Sequence, residues 1–397
     1  MNDTFDPLAS VQAAGPPGCI SFRYGLPDPE TFPVTELQRS FEKVFKKRAS
    51  IALQYGPEQG YGPLLDYLME KVKQCEGINL TRSQIMISGG VSQALDHLCT
   101  VFARSGDIVL VEAPTYLDSI HLFRNHGLEI LQIKTDDEGL ILEELVARLE
   151  ELKRKGKKPR FLYTIPTFQN PSGITLSENR RRAILDIAEE SDFFVVEDDV
   201  YYDLTYADLK VTPLFLLDNG ERVLRLGSFS KIMSPGLRLG WTIGPEEFID
   251  KLVNSGLLKM GGGTNPLVAN AISHYCQQGL LEPHIAFILS IYRERRDVIL
   301  KRLDSYMPKG VSWTRPQGGF FIWMTLPEHL SSRDIVKKGE SEGVHLLGGD
   351  PFFAEEATGQ HLRLSFSYVQ PHKIQEGIEI LGQIMKSQMS LFYSGKA

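Results

Sequence analysis

The sequence predicts an α/β protein. A large domain carries a mostly parallel sheet with helices on both faces. A smaller α+β domain is formed by the C-terminal part and the N-terminal segment. Three observations carry this reading. From about residue 64 to 280, short apolar runs of β type alternate with helical patterns. The runs are nearly continuous in apolarity, as in strands buried on both faces. Past residue 281 the rhythm changes to long helices flanking a few strands.

The elements follow in order. Residues 1–18 read as a loose arm. From Glu36 to Arg48 the pattern is helical, with Leu37, Phe41, Val44 and Phe45 on one face. Gln54 to Pro63 is rich in glycine and proline and reads as turns. The strand runs are IMIS (85–88), IVLVE (108–112), EILQI (129–133), FLYTI (161–165), FFVVE (193–197), VLRLG (223–227) and GWTIG (240–244). Helical patterns lie between most of them; Ala94, Leu95, Leu98, Val101 and Phe102 mark one. A long helix over 282–305 leads to strands at 311–315, 319–324 and 361–366, with helices near 332–342 and 371–389. The division is 1–50 as arm and helix of the small domain, 51–281 as the large domain, and 282–397 as the rest of the small one. The basic run from Lys153 to Lys158 reads as a solvated helix end.

Composition narrows the function. A chain of 397 residues exceeds one compact core. The net charge of -7 disfavours nucleic acid and anionic membranes as partners. No apolar run approaches the roughly 18 residues of a membrane span. The first residues lack the basic start and apolar stretch of a signal peptide. The expected location is the cytoplasm. Cys19, Cys75, Cys99 and Cys276 are scattered and read as buried thiols rather than disulfides. No GxxxxGK[ST], GxSxG, HExxH or CxxC occurs, so nothing points to nucleotide hydrolysis, hydrolase chemistry or a metal.

In parallel sheets ligands bind at the carboxyl ends of the strands. Five stretches there carry polar residues. ISGGVSQALDHL (87–98) runs from a strand through glycines into a helix near Ser92, either a phosphate cradle or an ordinary capped turn. VVEDDVYYDL (195–204) has three acids in a row after an apolar strand, either exposed loop acids or a source of one carboxylate paired with a cation. TFQNPSG (167–173) is a turn that can present Asn170 to a ligand. GSFSKIMSPGLRLGW (227–241) sets Lys231 among small hydroxyl residues with Arg238 beyond. A desolvated lysine has a lowered pKa and forms Schiff bases. Serines with an arginine suit a phosphate. In LRLSF, Arg363 interrupts an apolar strand, so it pairs internally or receives a substrate carboxylate. A phosphate cradle, an amine, a strand-end carboxylate and a carboxylate-binding arginine together match pyridoxal 5'-phosphate.

At this point the chain resembles the fold type I, class I/II aminotransferases, and within them the 2-aminoadipate (LysN-type) and kynurenine aminotransferase group. GLPDPETFP, LQYGPEQGYGPL, EAPTY, FQNPSG, VEDDVY, GSFSK with Arg238, and LRLSF occur in the family's order, and the likeness runs from about residue 19 to 390. The resemblance implies that Lys231 holds the cofactor as a Schiff base and moves the proton. It implies that Asp198 pairs with the pyridine nitrogen, that Asn170 and Tyr201 bond the phenolic oxygen, and that Tyr116 stacks on the ring. Ser228, Ser230 and Arg238, with the backbone at Gly90, Val91 and Ser92, would bind the phosphate. Tyr55 would reach the phosphate of the other subunit in a homodimer with shared sites. Arg363 and Asn170 would hold the substrate α-carboxylate. The implied reaction passes an amino group from an L-amino acid to a 2-oxo acid such as 2-oxoglutarate or pyruvate, through pyridoxamine phosphate and ping-pong kinetics, in amino acid metabolism.

The chain also departs from the family. Val91-Ser92 stands where relatives often carry Ser-Gln. FRYGLP (22–27) stands where they read AGGLP, in a segment beside the substrate side chain. Tyr24 and Gly25 are therefore expected to shape the side-chain pocket, with Arg23 either joining them or pointing to solvent. The substrate-gating helix of the nearest relatives is expected to be missing. GGGTNP (261–266) either passes near the partner's site or is a plain loop. The alternative on the same scaffold is a lyase, decarboxylase or cyclising synthase; Arg363 argues against decarboxylation. A regulator with an aminotransferase-like domain behind a winged helix is the other alternative, disfavoured because the pattern begins near Cys19.

Overall fold

A computed structural model describes residues 18–394, apart from 208, 262, 263 and 356. The arm at 1–17 and the glycines at 262 and 263 of the GGGTNP loop thus lie outside the described residues. The large sheet has eight strands. Across it the order is Ile85–Ser88, Gly240–Ile243, Val223–Ser228, Phe194–Asp198, Pro159–Thr164, Ile108–Ala113, Glu129–Asp136 and Gly139–Leu140. The central strands pair in parallel, while Gly240–Ile243 runs against both of its neighbours. Most residues of the middle strands are fully buried, as two-sided cover requires. Phe102, Phe123, Phe161, Phe194 and Phe248 stack edge and face beneath the sheet, with centroids 5.1–5.8 Å apart. Such pairs add about 0.5–1.5 kcal/mol each beyond burial.

A second, antiparallel sheet is ordered Ser312–Trp313, Phe321–Thr325, His361–Ser365, Leu347–Gly348. The helices Leu281–Tyr306 and Pro371–Ser394 belong to the same C-terminal part. The short strand Ile20–Ser21 pairs in parallel with Val344–His345. The helix Val34–Ala52 packs instead on Pro266–Gln277, through Val44, Ala52 and Ala271.

Two sequence expectations need correction, and one open choice is decided. Phe45 is not on the buried face of its helix; it is 49% exposed, and Ser40, Val44 and Ala52 are buried. Of the two readings left open for VVEDDVY, exposed loop acids is the one that fails, since Glu197, Asp198 and Asp199 are all buried. The cysteines are not all buried thiols: Cys99 and Cys276 are, but Cys75 is exposed, and none of the four is in a disulfide. The basic run follows the helix Leu142–Arg154, with Lys155 on Glu151 at 2.6 Å and Lys157 on Glu129 at 3.0 Å. No described helix is long and apolar enough to cross a membrane.

Candidate active site

The strand termini converge because of register. Gly240 pairs with Ser88 on one side and with Ser228 on the other. A Cβ on Gly240 would press on the Gly227 carbonyl at 2.6 Å and on the Gly90 Cα at 3.0 Å, so glycine lets the two loops meet. On one side Gly90, at φ 89°, starts the helix Val91–Phe102 with no side-chain cap. Val91 and Ser92, whose N–H groups have no partner within the helix, line the cavity. On the other side the Ser230 N–H donates to Ser228 Oγ at 3.0 Å. Arg238 is left-handed, at φ 48°, and its guanidinium donates to the Gly89 and Pro235 carbonyls at 3.1 Å. Serine hydroxyls, an arginine and an open helix start thus border one end of a cavity of about 530 Å³.

Lys231 lines the same cavity, and its Nζ donates to the Gly25 carbonyl at 3.1 Å. Burial, and then the nearby Arg363, push its pKa down to about 8, against the pull of Asp198. The three acids separate by strand alternation. Glu197 turns to one face, where it accepts from the Leu214 N–H at 2.7 Å and lies 3.7 Å from Arg181. Asp199 meets Arg225 at 2.7 Å, and Arg225 also meets Glu76 at 2.6 Å. Asp198 faces the cavity, where its Oδ2 accepts from the Tyr163 hydroxyl at 2.7 Å. Its Oδ1 is buried with no partner. Burial raises its pKa to about 6, while the Tyr163 hydrogen bond opposes the rise.

Asn170 and Tyr201 are buried and line the same cavity, and burial pushes the Tyr201 hydroxyl well above its usual pKa. Arg363 is held by three neighbours. It donates to Asn170 Oδ1 at 3.0 Å and to the Arg23 carbonyl at 2.6 Å, and it lies 4.4 Å from the Phe321 ring centroid. Its Nε has no partner, and burial lowers its pKa to about 10. Tyr116 lines the cavity with its hydroxyl on Asp118 at 2.5 Å. Tyr24 and Gly25 line it too; a Cβ on Gly25 would run into the Phe321 ring. Tyr55 is apart from this cavity and 79% exposed.

The family whose pattern matches is Aminotransferase class I and II, over residues 27–381. The chain belongs to the class I and II aminotransferases. Aromatic-amino-acid aminotransferase 1 of Thermococcus litoralis is 41% identical over 93% of this chain and 88% of that one. The 2-aminoadipate transaminase of Thermus thermophilus is 36% identical over 94% and 92%. The crystal structure of Pyrococcus horikoshii kynurenine aminotransferase superposes with a TM-score of 0.89 and 41% identity, over 93% of this chain and 91% of that one. This aminotransferase is therefore a pyridoxal-phosphate enzyme that moves amino groups of amino acids. Its pocket fits that cofactor on its own chemistry. A buried carboxylate oxygen without a donor suits a ring N–H, and an amine of lowered pKa suits an aldehyde.

Several site residues of the aminotransferase were not singled out from sequence. Tyr163, in FLYTI, orients Asp198. Glu112, in EAPTY, is buried and accepts from Thr164 at 2.8 Å and from the Ile165 N–H and Gln169 at 3.1 Å. It ties the turn carrying Tyr116 to the turn carrying Asn170. A polar residue inside an apolar strand was the available signal for both. Phe321, under Arg363, gave no signal, because it reads as ordinary core.

Proposed function

We propose that this aminotransferase uses Lys231 to hold pyridoxal phosphate and to move the substrate proton, and Arg363 to hold the substrate α-carboxylate. One observation carries the reading: the amine of Lys231, the donor-less oxygen of Asp198 and the buried guanidinium of Arg363 line one cavity. When bound, pyridoxal phosphate supplies an aldehyde that condenses with amines and a ring that accepts the electron pair left by a departing Cα proton. Asp198 would keep a ring nitrogen protonated by offering Oδ1 as acceptor, with Oδ2 fixed by Tyr163. The lowered pKa of Lys231, about 8, gives its amine an appreciable neutral fraction at physiological pH, so Nζ would be able to take the Cα proton and return it one carbon away. Ser228, Ser230, Arg238 and the backbone at Gly90, Val91 and Ser92 form the phosphate cradle. Tyr116 would cover the ring, and Asn170 and Tyr201 would donate toward its phenolic oxygen. Arg363 and Asn170 orient the α-carboxylate, while Tyr24 and Gly25 border the substrate side chain.

The substrates proposed are an L-amino acid of the aromatic or aminoadipate type, with 2-oxoglutarate or pyruvate as acceptor, in line with the printed activities of the relatives. The working form is a cytoplasmic homodimer, with neither nucleic acid nor membrane as a partner. Val34, Phe45, Ile51, Leu53 and Tyr55 are exposed along one stretch of the single chain, which supports a subunit contact there and a role for Tyr55 in the neighbouring site. The division into 1–50, 51–281 and 282–397 is part of the proposal, with the pairing of Ile20–Ser21 and Val344–His345 in its support.

The test is absorbance of the purified holoenzyme with single amino acids and no acceptor. Conversion to the spectrum of pyridoxamine phosphate with release of an oxo acid is the expected result. Ammonia release without that conversion would replace this reading with a lyase.

A further inference from the structure

We propose that Gln169 is a positioning residue: its buried carboxamide fixes the spacing between Tyr116 and Asn170, and with it the slot that receives the cofactor ring. The proposal rests on the roles given above to Tyr116 and Asn170. Gln169 is 3% exposed and, like Glu112, stays outside the lining of the cavity. The turns that carry Tyr116 and Asn170 leave neighbouring parallel strands, Ile108–Ala113 and Pro159–Thr164. The ladder between those strands ends at the pair Val111 and Tyr163. Past that point side chains join the two segments.

Gln169 is the centre of that join. Its Nε2 donates to the Pro114 carbonyl at 2.6 Å and to Glu112 Oε2 at 3.1 Å, both on the segment that leads to Tyr116. Its Oε1 accepts from the Ser172 N–H at 2.9 Å, on its own turn. The backbone of the same residue closes that turn, with its N–H on the Ile174 carbonyl at 2.9 Å and its carbonyl on the Gly173 N–H at 2.6 Å. Glu112 is the fixed end of the bridge, since it also accepts from the Thr164 hydroxyl and the Ile165 N–H. Both polar atoms of the carboxamide are thus engaged, one toward each turn. Asn170 follows directly in the chain, and its Oδ1 accepts from Arg363 at 3.0 Å. Tyr116 lies two residues past Pro114. An apolar residue in place of Gln169 would fill similar space, yet it would take these partners from the Pro114 carbonyl and the Ser172 N–H and one donor from Glu112. The two turns would then settle at a different separation. Asn170 would move relative to Arg363, which weakens the hold on a carboxylate, and relative to the phenolic oxygen, which weakens a donor there.

The test compares the wild-type holoenzyme with Gln169→Leu, Gln169→Asn and a control for stability alone, Ile299→Ala, in a fully buried position of the helix Leu281–Tyr306. Three quantities are read: the unfolding midpoint in urea, binding of unreactive 3-phenylpropanoate by titration calorimetry, and the pH midpoint of the visible band of the bound cofactor. All three variants should lose stability. Only the Gln169 variants should bind the carboxylate about 10-fold more weakly and move the band midpoint to higher pH, because donors at the phenolic oxygen oppose its protonation. Gln169 variants that lose stability alone, as Ile299→Ala does, would overturn the proposal. If Gln169→Leu does not fold, Gln169→Asn decides by the same readings. If Asn170→Ala moves neither carboxylate binding nor the band, the role assigned to Asn170 fails instead. A crystal structure of Gln169→Asn then decides the positioning role: a changed separation of Tyr116 and Asn170 supports it, and an unchanged one overturns it.

Discussion

Asp198 accepts a hydrogen bond at Oδ2 from the Tyr163 hydroxyl at 2.7 Å and keeps Oδ1 buried without a partner. Such a carboxylate is oriented but not satisfied. Burial has raised its pKa to about 6, with Tyr163 restraining the rise. Below that pH the carboxyl is neutral and cannot offset a protonated ring. Cofactor affinity is therefore expected to fall as pH drops through about 6. Tyr163→Phe removes the restraint, so the fall should move upward by about one pH unit. Spectrophotometric titration of the apoprotein with pyridoxal phosphate at several pH values checks this.

Lys231 gives the opposite limb. Its amine must be neutral to attack an aldehyde, and burial followed by Arg363 lowers its pKa to about 8. The rate of recombination with pyridoxal phosphate should rise with pH and level off above that value. Arg363→Gln removes a like charge, so the profile should shift to higher pH. Lys231→Ala should abolish the covalent band and lower turnover roughly 10²- to 10⁴-fold. Stopped-flow absorbance reads both.

Arg363 donates two hydrogen bonds in a fixed fork and leans on Phe321. Lysine cannot reproduce that geometry. We predict that Arg363→Lys lowers kcat/KM about 100-fold while cofactor affinity stays within about twofold. Steady-state kinetics beside a cofactor titration separates the two effects.

Gly90 has φ 89°, and a Cβ there would lie 3.0 Å from the Arg238 guanidinium. Gly90→Ala combines backbone strain of about 1–2 kcal/mol with a displaced cradle arginine. The expected result is weaker retention of the cofactor on dialysis, with inorganic phosphate a poorer competitor than in the wild type.

Arg225 bridges Glu76 and Asp199 behind the sheet, with all three side chains at most 7% exposed. Arg225→Met leaves two buried carboxylates without their cation. A loss of about 3–5 kcal/mol in unfolding free energy is expected, as for other broken buried pairs. Urea denaturation monitored by far-ultraviolet dichroism measures it.

Much of the large sheet was legible because its strands are buried on both faces and so appear as apolar runs. IMIS coincides with Ile85–Ser88, and VLRLG with all but the last residue of Val223–Ser228. The residues lining the cavity were legible for a related reason: Asp198, Asn170, Lys231 and Arg363 are polar groups at or near strand ends, where an apolar pattern breaks. What was illegible depended on contacts across the chain. The sequence cannot show that Glu197 and Asp199 find Arg181 and Arg225, because those partners come from other elements. Phe45 misled because an apolar residue at helical spacing signals a buried face, whereas here it is exposed on the single chain. Phe321 was invisible as a site residue because its role is to lie flat under a guanidinium supplied by the neighbouring strand.

The wall of the pocket nearest the N-terminus is completed from the far end of the chain: Ile20–Ser21 needs Val344–His345 as its partner, and Arg363 grips the Arg23 carbonyl. On a ribosome the first of these segments emerges long before the others exist. A nascent chain can thus build the central sheet and expose Lys231 while the pocket still lacks a side. Capture of the cofactor in a closed site is then timed by emergence of the segments around Val344 and Arg363 rather than by folding of the first strands.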